Sequence, residues 1–191
     1  MDDERIKLVG TEVLSQAWGT LTRATLDYRR VDGSWHTHTR EIYDHGNAAT
    51  IILFDPARRT VLLTRQYRYP VSLNGDPAWL LEACAGLLDE GEDKLTAIMR
   101  EALEETGHQP RDVEFLFDGY MSPGSLTEKL SFFVGHYDGT TKVAAGGGLA
   151  SEGEEIELLE LSLDDALGLI RSGDIIDAKT ITLLHWLALN R

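Results

Sequence analysis

Three shortages bound what this chain can be. Cys84 is the single cysteine in 191 residues, which excludes an intramolecular disulfide and fits a reducing cytosol. A small buried core position is the expected role for it. No apolar run approaches the length of a bilayer span, and the acidic opening, Met1 to Arg5, lacks an apolar signal region. The expectation is a cytoplasmic protein with no membrane partner. Positive charge is also scarce: 18 Lys and Arg stand against 32 Asp and Glu, a formal net charge of −14. That balance argues against binding polymeric nucleic acid. A small phosphorylated substrate remains compatible if it arrives with a cation and if residues such as Arg40, Arg65 and Arg68 invert the local field.

What is present reads as one globular domain of ordinary size, 42% hydrophobic and 26% charged. It carries no internal repeat, low-complexity tail or linker. Alternating segments at Ile6–Leu14 and Leu21–Val31 precede the turn signal Asp32-Gly33 and a third strand, His36–Tyr43. Apolar runs Ala48–Phe54 and Thr60–Tyr67 read as paired central strands. A loop from Pro70 to Pro77 and a short strand, Trp79–Ala83, follow. A helix is expected from Asp93 to Thr106, stopped by Gly107, with Leu95, Ile98, Met99, Ala102 and Leu103 facing the core. Strands at Val113–Tyr120 and Leu130–Tyr137, a mobile glycine-rich stretch at Lys142–Gly153 and a strand at Ile156–Leu161 come next. Two helices close the chain, one capped by Ser162 and ended by Gly173, the other Ala178–Leu189. In the last, Ile181, Leu184 and Leu187 or Ala188 face inward. Strands dominate the front and helices enter between later strands, an α+β or layered α/β/α arrangement.

The chemistry concentrates between Gly86 and Gly107, spelled G-x5-E-x7-R-E-x2-E-E-x-G. Glu101, Glu104 and Glu105 fall on one helical face, where like charges repel unless a cation joins them. Oxygen donors of this kind suit Mg²⁺ or Mn²⁺. The carboxylates alone are equally compatible with a solvated acidic face.

The complete pattern resembles the signature of the Nudix hydrolases, which cleave a nucleoside diphosphate linked to another moiety. Every glycine and charged position is present; the final position, usually aliphatic, is His108. Longer stretches resemble the branch acting on nucleoside diphosphate sugars, and the GDP-mannose hydrolases within it. They are Arg40–Asn47, Arg65–Arg68, Glu82–Asp89, Tyr120–Gly124 (with Pro123 sixteen positions beyond Gly107), Ala145–Gly148 and Asp177–Thr180. The resemblance implies an α/β/α sandwich with a mixed sheet over residues 46–191. It also implies a small antiparallel sheet in residues 1–45 that pairs subunits into a homodimer.

It further implies hydrolysis of GDP-mannose to GMP and mannose 1-phosphate, with Mg²⁺ as cofactor and Mn²⁺ a possible substitute. Glu101, Glu105 and the Ala85 carbonyl would hold metal, with Glu104, taken as the less exposed carboxylate, in support. Glu154 would be a metal ligand or general base, with Glu152 as the alternative. Glu92 and Arg100 would pair to fix the loop on the helix. Trp18 would stack on the base, although core packing is the commoner fate of a tryptophan. Arg40 and Glu41 would contact the nucleotide, beside Thr39, which replaces a basic residue of that branch. Arg68 would bind phosphate, Ala85, Gly86 and Leu87 would line the substrate site, and Glu128 and Lys179 would contact sugar or phosphate. A first-turn lysine works against the helix dipole, so Lys179 carries a small hint of function of its own. Open alternatives are an ADP-ribose or ADP-sugar pyrophosphatase and a silent Nudix ligand-binding module; a plain acidic metal-binding protein would leave the arginines and Pro123 unexplained.

Overall fold

The computed structural model describes residues 4–191; the expectation for residues 1–3 lies outside them. The chain divides into two compact units, residues 1–47 with 120–129, and residues 48–119 with 130–191.

The first unit is a three-stranded antiparallel sheet of β1 (Ile6–Gln16), β2 (Thr20–Arg29) and β3 (Trp35–Asp44), in that order. The β2–β3 hairpin turns where expected: Gly33 adopts a left-handed φ of 85°, and the Asp32 carboxylate accepts the Ser34 N–H at 2.9 Å. Among the described residues of this unit, Ala24 is the single buried hydrophobic side chain. Residues 120–129 are tied to the end of β3. The Tyr43 N–H donates to Ser125, and the Thr127 N–H donates back to Tyr43.

The second unit is built on β4 (Ala48–Asp55), whose eight residues are all buried. Its neighbours explain why. β9 (Lys129–His136) runs parallel along one edge. The other edge is shared by β5 (Thr60–Tyr67) and β7 (Cys84–Leu87), both antiparallel. β6 (Trp79–Glu82) and β10 (Glu157–Ser162) pair with β5, and β8 (Arg111–Tyr120) borders β9. The chain therefore leaves β5 at Glu82, crosses at Ala83, and joins β4 at Cys84. That crossing is what delivers Ala85 and Gly86.

A four-residue helix, α1 (Tyr69–Ser72), forms where the sequence reads as loop. Helix α2 (Lys94–Thr106) begins at Asp93, whose side chain accepts the Leu95 and Thr96 N–H groups, and ends at Gly107 with φ 70°. Its core face differs from expectation. Ala97, Ile98, Ala102 and Glu105 are buried, whereas Leu95 and Leu103 are exposed. The helix is rotated so that a carboxylate, instead of two leucines, meets β7. Ile98 and Ala102 pack with Ala49, Ile51, Leu53, Cys84, Phe133 and Tyr137. Helix α3 (Leu163–Ser172) is capped by Ser162 and packs on β5 and β10, while α4 (Ala178–Asn190) is capped by Asp177 and packs on β4 and β6. In α4 the inward residues are Leu183, Leu184 and Leu187; Ile181 is half-buried and Ala188 exposed. The result is the expected α/β/α sandwich around a mixed sheet, with a separate small antiparallel sheet. No helix among the described residues is long and apolar enough to cross a membrane.

His108 packs despite its polarity. It is buried, edge-on to Tyr137 at 5.4 Å, with Nδ1 2.8 Å from Thr141 Oγ1, and burial lowers its pKa.

Candidate active site

The β7–α2 junction gathers the carboxylates. Gly86 lies directly under Glu101: a Cβ there would overlap the Glu101 carboxylate. Glycine is required for this close approach. Arg100 ties the preceding loop down, donating to Glu92 at 3.1 Å and 3.3 Å and to the Leu87 carbonyl at 3.3 Å. The same guanidinium also reaches Glu101 at 2.8 Å and Glu104 at 3.2 Å. The pairing expected for Arg100 is therefore present, within a wider cluster.

Glu105 is the unusual group. It is 3% exposed, its Oε2 has no hydrogen-bond partner, and its neighbours include the charges of Glu101 and Glu154. Burial foremost pushes its pKa up to about 8, with the Cys84 thiol and Arg68 working in the opposite direction. Burial also raises Glu101, against the pull of Arg100. Cys84 itself is buried and unreactive, its thiol pushed up by burial and by these carboxylates. Glu104 is the most exposed of the three helix carboxylates, contrary to expectation.

The glycine-rich stretch is tied to the end of α2. The Gly147 and Gly148 N–H groups donate to the Glu105 and Glu104 carbonyls, and Val143 and Ala144 donate to Gly107. These bonds satisfy carbonyls that a helix end otherwise leaves unpaired. Gly107 and Gly146 approach backbone to backbone, so a Cβ on either would collide. Past this stretch, Glu154 turns back and accepts the Leu149 N–H at 3.0 Å, within electrostatic reach of Glu101 and Glu105. Glu152 ends a short 3-10 turn, and its side chain lies outside the described residues.

A second cluster escaped the sequence reading. Glu82, buried at the end of β6, accepts from Arg68 Nε at 2.7 Å and from Lys179 Nζ at 2.5 Å; Lys179 also pairs with Asp177 at 3.0 Å. Burial would lower the Lys179 pKa, but Glu82 and Asp177 outweigh it and the net shift is upward. The local penalty at the start of α4 is thus offset by two anions. Glu82 and Lys179 lie 97 positions apart, so no local signal could have paired them.

The remaining candidates sit in the first unit. Trp18 is 73% exposed and stacks on His45 at 5.1 Å, rather than packing in a core. Thr39, Arg40 and Glu41 are exposed on β3, Glu41 paired with Arg23 at 2.9 Å. Arg40 lines a pocket with Ile6, Leu26, Tyr28 and His38. Glu128 is half-buried.

Among the described residues no group of three or more His, Cys, Asp or Glu side chains is placed to hold a metal ion. The Glu105 oxygen without a partner, beside the charges of Glu101 and Glu154, nevertheless fits one ligand position of a hard divalent cation, which retains several waters.

Residues 5–43 match the profile of the GDP-mannose pyrophosphatase NudK N-terminal domain, and residues 44–184 match the NUDIX domain. GDP-mannose pyrophosphatase of Escherichia coli O1:K1 is 44% identical over 188 residues, covering 98% of this chain and 97% of the relative. The same-named protein of Escherichia coli O9:H4 (strain HS) is 44% identical over 185 residues, covering 96% and 95%. A crystal structure of an ADP compounds hydrolase superposes with a TM-score of 0.71 at 20% identity, covering 96% of this chain and 92% of that one, a likeness of fold. With a desolvated carboxylate ridge on α2, a glycine fitted beneath it and a NUDIX-domain match over residues 44–184, the chain belongs to the NUDIX family of pyrophosphate hydrolases.

Proposed function

We propose that this protein hydrolyses the diphosphate bond of a nucleoside diphosphate sugar, GDP-mannose, to GMP and mannose 1-phosphate. The observation that carries the reading is Glu105: a buried carboxylate with one oxygen lacking any hydrogen-bond partner, held near the charges of Glu101 and Glu154, is the arrangement a cation would stabilise. Glu101, Glu105 and the Ala85 carbonyl are the residues to hold it, Mg²⁺ foremost and Mn²⁺ as a substitute, with Glu104 in support. Such a cation supplies charge neutralisation of the diphosphate oxygens and lowers the pKa of water.

The protein's own groups do the rest. Glu154 accepts the proton of the attacking water, from a carboxylate anchored by the Leu149 N–H. Arg68 holds phosphate through its fork, Lys179 offers an N–H to phosphate or sugar, and Ala85, Gly86 and Leu87 line the site along β7. Trp18, Thr39, Arg40, Glu41 and Glu128 serve nucleotide and sugar, the exposed Trp18 face being free to stack on a base. Exposed Leu8, Val9 and Val13 on β1 support a homodimer built through the N-terminal sheet, with residues 46–191 as the catalytic domain. A stable, fully active monomer in sedimentation would refute that assembly. The buried lone thiol suits work in the cytoplasm.

The test is incubation with GDP-mannose, ADP-ribose and other nucleotide sugars plus Mg²⁺, followed by chromatography of the products. Preferred release of GMP and mannose 1-phosphate is expected. Preference for ADP-ribose would overturn the substrate, and inertness toward all would overturn the activity.

A further inference from the structure

The Glu82 cluster has a geometry that a structural ion pair does not need. Signs alternate along Asp177, Lys179, Glu82 and Arg68, from the cap of α4 through the end of β6 to the residue following β5. Every link is fixed. Asp177 accepts from the Thr180 N–H at 2.9 Å and from its hydroxyl at 2.6 Å, and the Thr180 hydroxyl accepts the Ala83 N–H at 2.7 Å. The Glu82 carbonyl is held by Thr64 Oγ1 at 3.1 Å. One cation would neutralise the Glu82 carboxylate; it takes two, each on a separate oxygen. Arg68 is bound through Nε alone, and its terminal nitrogens take no protein partner among the described residues. Arg68 remains 40% exposed, and its charge is felt at Glu105.

We propose that Glu82 is a positioning residue for the diphosphate. It holds the Arg68 guanidinium by one nitrogen so that the two others face the substrate as a planar fork, with Lys179 as the buried counter-charge that keeps the carboxylate in place. A guanidinium already oriented loses less entropy on binding phosphate than a free one. The inference rests on the reading of Arg68 as a phosphate contact.

The test is Glu82→Gln, whose amide puts an NH2 donor where one of the two cations now meets a carboxylate oxygen. KM for GDP-mannose should rise about 10- to 100-fold with kcat changed less than about threefold, the split expected when a contact made equally in the ground and transition states is lost. The Kd for magnesium pyrophosphate, measured by calorimetry, should rise by the same factor. In an Arg68→Ala background, Glu82→Gln should add less than about twofold, because its effect runs through the arginine. A folded Glu82→Gln protein with wild-type KM and Kd, or an effect undiminished without Arg68, overturns the proposal. Should Glu82→Gln fail to fold, Arg68→Lys decides. It keeps the charge and the pairing but not the fork, so a comparable rise in Kd supports the proposal and a wild-type Kd overturns it. Pyrophosphate binding reports the clamp and GDP-mannose turnover reports the hydrolase, so failure of one is distinguishable from failure of the other.

Discussion

The two units handle charge in opposite ways. On the N-terminal sheet, Arg23 sits between Glu12 and Glu41 with all three side chains 41% or more exposed. In the larger unit, Glu82, Glu105 and Lys179 are largely withdrawn from water, and Glu105 lacks a hydrogen-bond partner for one oxygen. Exposed pairs gain little because water and salt screen them. Buried ones forfeit hydration and persist where position matters more than stability. The comparison teaches that exposure and satisfaction, rather than the number of carboxylates, separate surface charge from chemistry.

The largest expected break in that comparison is Glu105→Gln. It should lower kcat by on the order of 10³-fold, as loss of a metal-holding oxygen does. Measured without metal at pH 8, the same variant should be more stable than wild type by about 1–3 kcal/mol in denaturant, because a desolvated charge is gone. Glu154→Gln should reduce kcat by about 10²-fold or more with unfolding unchanged, and near wild-type turnover would reject its role. Gly86→Ala pushes a methyl group into Glu101 and should lower kcat/KM by about 10²-fold while thermal unfolding moves little. At the small end, Arg23→Ala should leave the Tm unchanged within error.

A pH series sharpens the contrast. Glu105 carries a folded-state pKa of about 8, above its ordinary value of 4.5. Its contribution to stability is thus complete below pH 4.5 and lost as pH rises through 8. Metal-free protein should weaken across that window in denaturant titrations, and Mg²⁺ should cancel the loss. Removing the exposed pairs around Arg23 should leave this profile unaltered.

Much of this was legible in the residues. Strands β4 and β5 announce themselves as apolar runs, and Asp93, Gly107, Ser162, Gly173 and Asp177 mark helix ends as capping chemistry requires. The G-x5-E-x7-R-E pattern located the ridge, and Arg100 joins Glu92 as expected. What stayed hidden depends on tertiary context. β7 has no strand signal in the sequence because its Ala-Gly composition has low strand propensity, yet fully buried β4 demands a partner along its edge. The rotation of α2, exposing Leu95 and Leu103 while burying Glu105, reverses the rule that apolar residues face inward, as functional sites do. The Glu82–Lys179 pair joins distant segments, and the glycine-rich stretch is ordered by carbonyls at the end of α2 that belong to no local motif.

The claim beneath the whole account is that the Glu105 ridge exists to hold a divalent cation. Calorimetric titration of Mg²⁺ into wild type and Glu105→Gln at pH 7, in two buffers of different ionisation enthalpy, addresses it directly. Binding with proton release is expected in wild type, and the loss of both in the variant. Equal affinity and equal proton release in the two proteins would contradict it.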